Sequence, residues 1–353
     1  MFNYLISISP LGLMYGSAGA FLSPENLVGR SGAKFPPEAA TLAGLIFSIN
    51  KVNNKRSQVE LRDNLYVAGP FWAKSDNPQN FFVPIPRNKI IGKKEWGEWN
   101  IQNGEWYLPN KQDNKQKQKL DYKLESDYNW QTIESWKLPT KELVKASKPS
   151  KPSKPSNDSC NLANDPWKFV SFLHPKIEFS ARRVEKSDGL FLENSVQLPD
   201  DVCLVYLSTY DMDNGWYKFG GENHIVEITC KKLQPKTKEL LQQPIGKSFA
   251  LLTPGVWGSN RISHRYPHPE DDNHPFPQVV QLLTDKAVPY RFRSQGTLGR
   301  GRYAVPAGSV YLLKEPINQP WWKWDEKWFP NEGYSLKKVG CGLCLPVEIQ
   351  GIN

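Results

Sequence analysis

Three groups of side chains along this 353-residue chain have types that could do chemistry. His264, His268 and His274 lie close together with Asp271 and Asp272 among them, the donor types of a metal site. Pro267, Pro269 and Pro275 forbid a helix there, so no helical face aligns two imidazoles, and the segment reads as a solvated loop. Cys341-Gly342-Leu343-Cys344 is a lone Cys-x-x-Cys. Zinc would need a second ligand pair, and a redox role would need a helix start where strand-like residues follow, so the pair reads as structural. His224, beside Gly220-Gly221-Glu222-Asn223, could act as the general acid of a metal-independent ribonuclease, although a lone His among glycines more often serves as a hydrogen-bonding group. No Ser/His/Asp set or phosphate-binding loop stands out, so the chain is expected to have no catalytic residues, no metal and no cofactor.

Binding chemistry is better represented. Arg30 and Lys34 precede a predicted helix N-terminus, where free N–H groups and the helix dipole favour phosphate. Arg261, Arg265, Arg291, Arg293, Arg300 and Arg302 cluster in sequence, interleaved with Gly296, Gly299 and Gly301; guanidinium groups suit phosphate contacts and stacking on bases. Lys337 and Lys338 precede Gly340-Cys341-Gly342, where missing side chains would let backbone approach a ligand. At each basic position RNA contact competes evenly with a solvated surface. Trp321, Trp322, Trp324 and Trp328 form the densest aromatic patch. They could stack unpaired bases, but a protein–protein anchor or a core plug fits such a cluster better, and a partner interface is expected there.

The elements that must position these residues follow from periodicity. Phe2, Tyr4, Ile6 and Ile8 alternate with polar residues as in a half-buried strand, which Pro10 ends. A basic, glycine-bearing loop leads to Pro36-Pro37 and a helix over residues 38–50, with Ala39, Leu42, Ile46 and Ile49 as its stripe. Residues 88–160 hold 14 lysines against 10 carboxylates, and three Lys-Pro-Ser repeats fill Lys148–Ser156. Such a tract buries too little apolar surface to offset its ordering entropy, so it is expected to be a polar, partly disordered insertion. Beyond it, Lys176–Phe179 and Gly189–Leu192 look like hairpin arms, and Val202–Leu207 like a buried strand. Ser248–Gly255 echoes the opening segment, an apolar strand stopped by a hydroxyl residue and a proline, and marks a second, smaller α/β unit. Val305–Leu313 and Gly342–Ile349 supply two more strands.

The chain carries a net charge of +9, which favours a polyanionic partner. No apolar stretch approaches a membrane span, the first residues lack a basic signal-peptide start, and five scattered cysteines give no disulfide framework. A reduced, cytoplasmic protein is expected.

In order along the chain come Ser9-Pro10-Leu11, Gly19-Ala20-Phe21, Phe35-Pro36-Pro37, Thr41-Leu42-Ala43-Gly44, Gly220-Gly221-Glu222 and Leu252-Thr253-Pro254. Val305-Pro306-Ala307-Gly308-Ser309-Val310-Tyr311 and Val339-Gly340-Cys341-Gly342 complete the series. With this motif order the sequence resembles the third subunit of Cmr complexes, the type III-B CRISPR effectors, within the RAMP superfamily. The resemblance implies an α+β fold of two ferredoxin-like (RRM-like) domains in tandem, residues 1–235 and 236–353, the first carrying the 88–160 insertion. It implies a non-enzymatic subunit that grips the 5′ handle of the CRISPR RNA (crRNA), with Gly340 and Gly342 in the family's glycine-rich loop. The implied partners are the large polymerase/cyclase-type subunit and a backbone RAMP subunit, with no membrane or direct DNA contact. The family's Arg-Asp-Gly-like segment is replaced here by Tyr15-Gly16-Ser17. The alternative is a RAMP endoribonuclease that cuts CRISPR repeat RNA through His224.

Overall fold

The computed structural model describes residues 1–15, 35–92, 95–109, 126–146, 160–175, 177–178, 180, 183–184, 190–220, 223–258, 262–268, 275–291, 293–294, 297–298 and 301–352. Arg30, Lys34, Arg261, Arg300, His274, the side chain of Arg293, and the tracts 111–120 and 148–156 lie outside the described residues.

The first strand, β1, spans Tyr4–Pro10, as alternation predicts. It is central rather than half-buried: Leu5 and Ile6, on opposite faces, are both fully buried. Helix α1 covers Ala39–Asn53 and buries Ala39, Leu42 and Ile46 against the sheet. Asn50 shapes its end, its buried amide donating to the Arg56 carbonyl and accepting from the Arg56 N–H. Asn54 then takes the left-handed cap conformation at φ 49°. A second stripe, Ala40, Ala43, Gly44 and Phe47, runs along the flank of α1 outside the buried one. Helix α2, Gln58–Asn64, is capped by Ser57, whose Oγ accepts from the Glu60 N–H at 3.0 Å.

Seven further strands join β1: β2 (Val67–Lys74), β3 (Phe82–Pro84), β4 (Trp130–Thr132), β5 (Leu162–Ala163), β6 (Val202–Ser208), β7 (Gly215–Phe219) and β8 (His224–Lys232). Their order is β5-β4-β3-β2-β6-β1-β8-β7, every pair antiparallel. Every residue of β6 is buried, as its apolar run predicts.

The 88–160 insertion differs from expectation. Its described residues form the hairpins Lys89–Ile91/Trp96–Glu98 and Asn100–Gln102/Glu105–Tyr107, helix α3 (Thr140–Ala146), and strand β4 of the main sheet. Ile91 and Leu143, with flanking Ile85 and Leu162, make a small core of their own. Few apolar residues suffice because they converge, which average composition conceals. The hairpin after the insertion is also longer than the sequence suggests, pairing Lys168–Pro175 with Leu190–Gln197.

Helix α4 (Pro235–Leu241) leads to a second sheet of β9 (Ser248–Leu251), β10 (Val279–Leu283), β11 (Val310–Leu313) and β12 (Cys344–Pro346). Its order is β10-β11-β9-β12, again antiparallel throughout. Strands β1, β2, β6 and β8 of the first sheet stand in the same arrangement: second, third, first, fourth. The sequence echo between the opening segment and Ser248–Gly255 therefore has a topological counterpart, since β1 and β9 are both central. The fold is mixed α/β, dominated by antiparallel sheet, and a single apolar cluster from Phe2, Phe71 and Tyr206 to Phe249, Trp257 and Tyr311 runs through both sheets. Among the described residues no helix is long and apolar enough to cross a membrane.

Candidate nucleic-acid interface

The surface with the best chemistry for RNA grows out of buried Trp257. Its indole N–H donates to the Tyr311 hydroxyl at 3.1 Å, and that hydroxyl donates to the Arg265 carbonyl at 2.6 Å. The loop bearing Arg265 is thus tied to the core of the second sheet. Trp257–Gly258 pairs with Ser263–His264. Gly258 sits at φ 95°, where a Cβ would strike the Ile262 carbonyl and the His264 ring, so glycine is required. A neighbouring strand, Arg302–Ala304, alternates: Arg302 and Ala304 point inward and Tyr303 outward. The Tyr303 N–H donates to Ser263 Oγ at 3.1 Å and ties the two loops together.

Outside, Ile262, Arg265, Tyr266 and Tyr303 face solvent, the two tyrosines 41% and 54% exposed. The rings of His264 and His268 lie 5.3 Å apart. Flat exposed rings beside a guanidinium offer base stacking and phosphate contact at once. Tyr266 and Tyr303 were not singled out from sequence, although each directly follows an Arg of the cluster.

The other expected site residues scatter. Arg291 is half-buried at the end of the strand Val288–Tyr290. Arg302 turns inward, its guanidinium paired with the Glu332 carboxylate, both little exposed. Lys337 is buried as well and its Nζ donates to the carbonyls of Trp322 (3.0 Å) and Trp324, lying 5.7 Å and 5.8 Å from the Trp321 and Phe329 ring centres. Burial pushes its pKa down to about 8. Lys338 is half-buried, donates to the Arg62 carbonyl at 3.0 Å and lies 5.8 Å over the Tyr66 ring. Expected as phosphate ligands, Arg302 and Lys337 are instead interior cations held by groups of the protein.

The glycines are likewise accounted for by protein neighbours. Gly340, left-handed at φ 74°, caps the turn Leu336–Val339, and a Cβ there would stand 2.6 Å from the Ala68 backbone. Gly342 leaves no room beside the Trp257 ring. Gly308 sits at φ 83°, where a Cβ would stand 2.8 Å from the Ile85 carbonyl oxygen, and its carbonyl accepts from the Arg87 N–H at 2.8 Å. The approach of Gly308 to Ile85 and Arg87 and that of Gly340 to Ala68 join the C-terminal part of the chain to the N-terminal part.

The tryptophan patch is a plug, which corrects the expected partner interface for its two buried members. Trp321 stacks on Phe2 at 6.1 Å and Trp324 meets Phe249 edge-on at 5.4 Å, both buried. Trp322 and Trp328 are partly buried around them, Trp322 edge-on to Tyr66 at 4.6 Å. Cys341 and Cys344 are buried, and burial raises the Cys341 thiol to about 12. Among the described residues no three His, Cys, Asp or Glu side chains are grouped to hold a metal. His224 opens β8 opposite Phe219.

A family model described as CRISPR-associated protein (Cas_Cmr3) matches residues 7–349. The chain belongs to the Cas_Cmr3 family. No curated protein matches the sequence. Among solved structures, this Cas_Cmr3 member is similar to a chain of the type III-B Cmr-beta complex bound to cognate target RNA and AMPPnP. That match has a TM-score of 0.47 and 14% identity over 87% of this chain and 86% of the other. It is also similar to chains of a Csm3–Csm4 subcomplex of the type III-A interference complex (TM-score 0.37, 11% identity, 90% and 94% covered). A chain of a Csm1–Csm4 cassette in complex with AMPPNP matches at TM-score 0.38 and 11% identity, with both chains fully covered.

Proposed function

We propose that this protein is a non-catalytic subunit of a type III CRISPR effector ribonucleoprotein. In this reading it binds the 5′ handle of the crRNA and docks the large polymerase/cyclase-type subunit to a backbone RAMP subunit. The observation that carries the reading is the family match over residues 7–349. The exposed Arg265, Tyr266 and Tyr303 supply matching chemistry, because sequence-specific readers of single-stranded RNA stack its splayed bases and bond their edges. The shared strand order of the two sheets supports a tandem pair of ferredoxin-like domains with a boundary near residue 235.

The test is the double variant Tyr266→Ala/Tyr303→Ala, titrated against labelled handle RNA. Each stacked base is worth about 1–3 kcal/mol, so affinity is expected to fall at least ten-fold. Unchanged affinity would remove this surface from the site. Site-specific, metal-independent cutting of repeat RNA that disappears in His224→Ala would replace the scaffold role with that of an endoribonuclease.

A further inference from the structure

A sheet ends in strands whose outward backbone groups lack a partner, and folded proteins usually blunt such ends. Of the four ends of the two main sheets, three are blunted. Strand β5 has two residues, β10 slips register between Val279 and Gln281, and β12 stops at Pro346. Strand β7 is different. Its five residues, Gly215-Trp216-Tyr217-Lys218-Phe219, include no proline and pair with β8 alone, without a slip. On it Trp216 stands 73% exposed, on the same strand face as exposed Lys218.

The outward groups of β7 follow from how β8 spends its own. The Ile225 carbonyl accepts from Leu11 N–H and the Leu233 N–H donates to Asn3, so the odd-numbered residues of β8 turn their backbone toward β1. The even-numbered ones face β7, as the Cys230 N–H donating to Asn214 Oδ1 shows. Their partners in register are Gly215, Tyr217 and Phe219. The N–H and C=O groups of Trp216 and Lys218 therefore point away from the sheet.

We propose that two copies of this protein join edge to edge through β7, antiparallel about a two-fold axis at Tyr217. Hydrogen-bonded antiparallel pairs exchange both bonds and recur at every second residue. With the axis at Tyr217, Trp216 bonds Lys218 of the second copy and Lys218 bonds its Trp216, so every outward group of the two residues is satisfied. Each indole then lies beside an ammonium, a favourable cross-strand contact made twice by the symmetry. Within its own sheet Lys218 faces Ile225, which offers it no counter-charge. An axis at Lys218 would oppose two ammonium groups, and one at Trp216 would set Lys218 against Asn214. Gly220, which follows β7, comes opposite Asn214 with no side chain to obstruct it. A foreign strand could use the same backbone groups, but the match of indole to ammonium lies within β7 itself, which favours a second copy. The inference stands apart from the RNA-binding reading, and loss of RNA binding would leave it intact.

The experiment is sedimentation equilibrium of the full-length protein across the micromolar range, alongside thermal unfolding. The wild-type protein is expected to show a monomer–dimer equilibrium. Lys218→Glu is expected to weaken it about ten-fold at unchanged Tm, because both indole–ammonium contacts go together. Lys218→Pro removes an outward N–H, a change that an edge strand tolerates, and is expected to abolish the dimer. Register is read by cross-linking in a Cys160→Ser background, which removes the exposed native thiol. Tyr217→Cys is expected to link two copies on oxidation, since a non-hydrogen-bonded pair brings its Cα atoms to about 4.5 Å. Trp216→Cys, opposite Lys218 of the second copy, is expected to stay unlinked. A wild-type protein monomeric at every concentration would overturn the proposal. So would a dimer indifferent to Lys218→Pro, or one that links through Trp216→Cys and not through Tyr217→Cys.

Discussion

Lys337 is an ammonium enclosed by two carbonyls and two aromatic rings. Its pKa is lowered by burial from 10.5 to about 8. Between those values the unfolded chain keeps a proton that the folded chain has released. Raising the pH through this window therefore favours the folded state, and this residue makes stability rise from about pH 8 toward pH 10.5. Lys337→Met is expected to abolish that rise in the urea midpoint; a variant with the wild-type pH profile would refute it. The Arg302–Glu332 pair is a different case, a cation satisfied by a carboxylate. Glu332→Gln removes the carboxylate from this little-exposed pair and is expected to cost about 3–5 kcal/mol in chemical denaturation. Iodoacetamide at pH 8 should label exposed Cys160 well before buried Cys341, whose thiol is pushed up to about 12, with mass spectrometry giving the order. In the sequence Arg265 and Arg302 look alike. Which of them faces outward is decided by strand alternation at Arg302–Ala304 and by a carboxylate thirty positions later, neither of which residue type reveals.

Long, strongly periodic elements were legible. Alternation located β1, the apolar stripe located α1, and a continuous β-branched run located β6. Strands β3 and β4 were not, because each has three residues and lies beside or inside a lysine-rich tract that a composition window averages away. Their role implies that the insertion is partly load-sharing. Leu143→Ala, which empties a fully buried position in its small core, is expected to destabilise the protein by about 2–5 kcal/mol. A change below about 0.5 kcal/mol would mean that this core folds independently of the main sheet. Glycine-rich segments were legible as places of close approach, but not what approaches. Gly308 and Gly340 meet Ile85 and Ala68 of the same chain, and only the tertiary structure brings those partners near.

At the scale of the molecule, the two sheets share one apolar cluster, and Trp321 and Trp324 from the C-terminal part pack on Phe2 and Phe249 of the two parts. Calorimetry is accordingly expected to show one cooperative unfolding transition; two resolved transitions would mean that the halves behave as separate units. The doubled strand order was visible in sequence only as the echo of a strand, a hydroxyl residue and a proline, since topology depends on pairings that sequence periodicity does not encode. That order has a further consequence during synthesis. Both neighbours of β1 lie some two hundred positions downstream, Tyr4 facing Ser208 and Lys232. At about 5–20 residues per second, the emerging segment waits roughly 10–40 s before either can reach it. Throughout that delay a nascent Phe2–Ile8 strand is a sticky, unsheltered segment, and a cell making this polypeptide must keep it shielded, on the ribosome or by a chaperone, until Ser208 and its neighbours have been made.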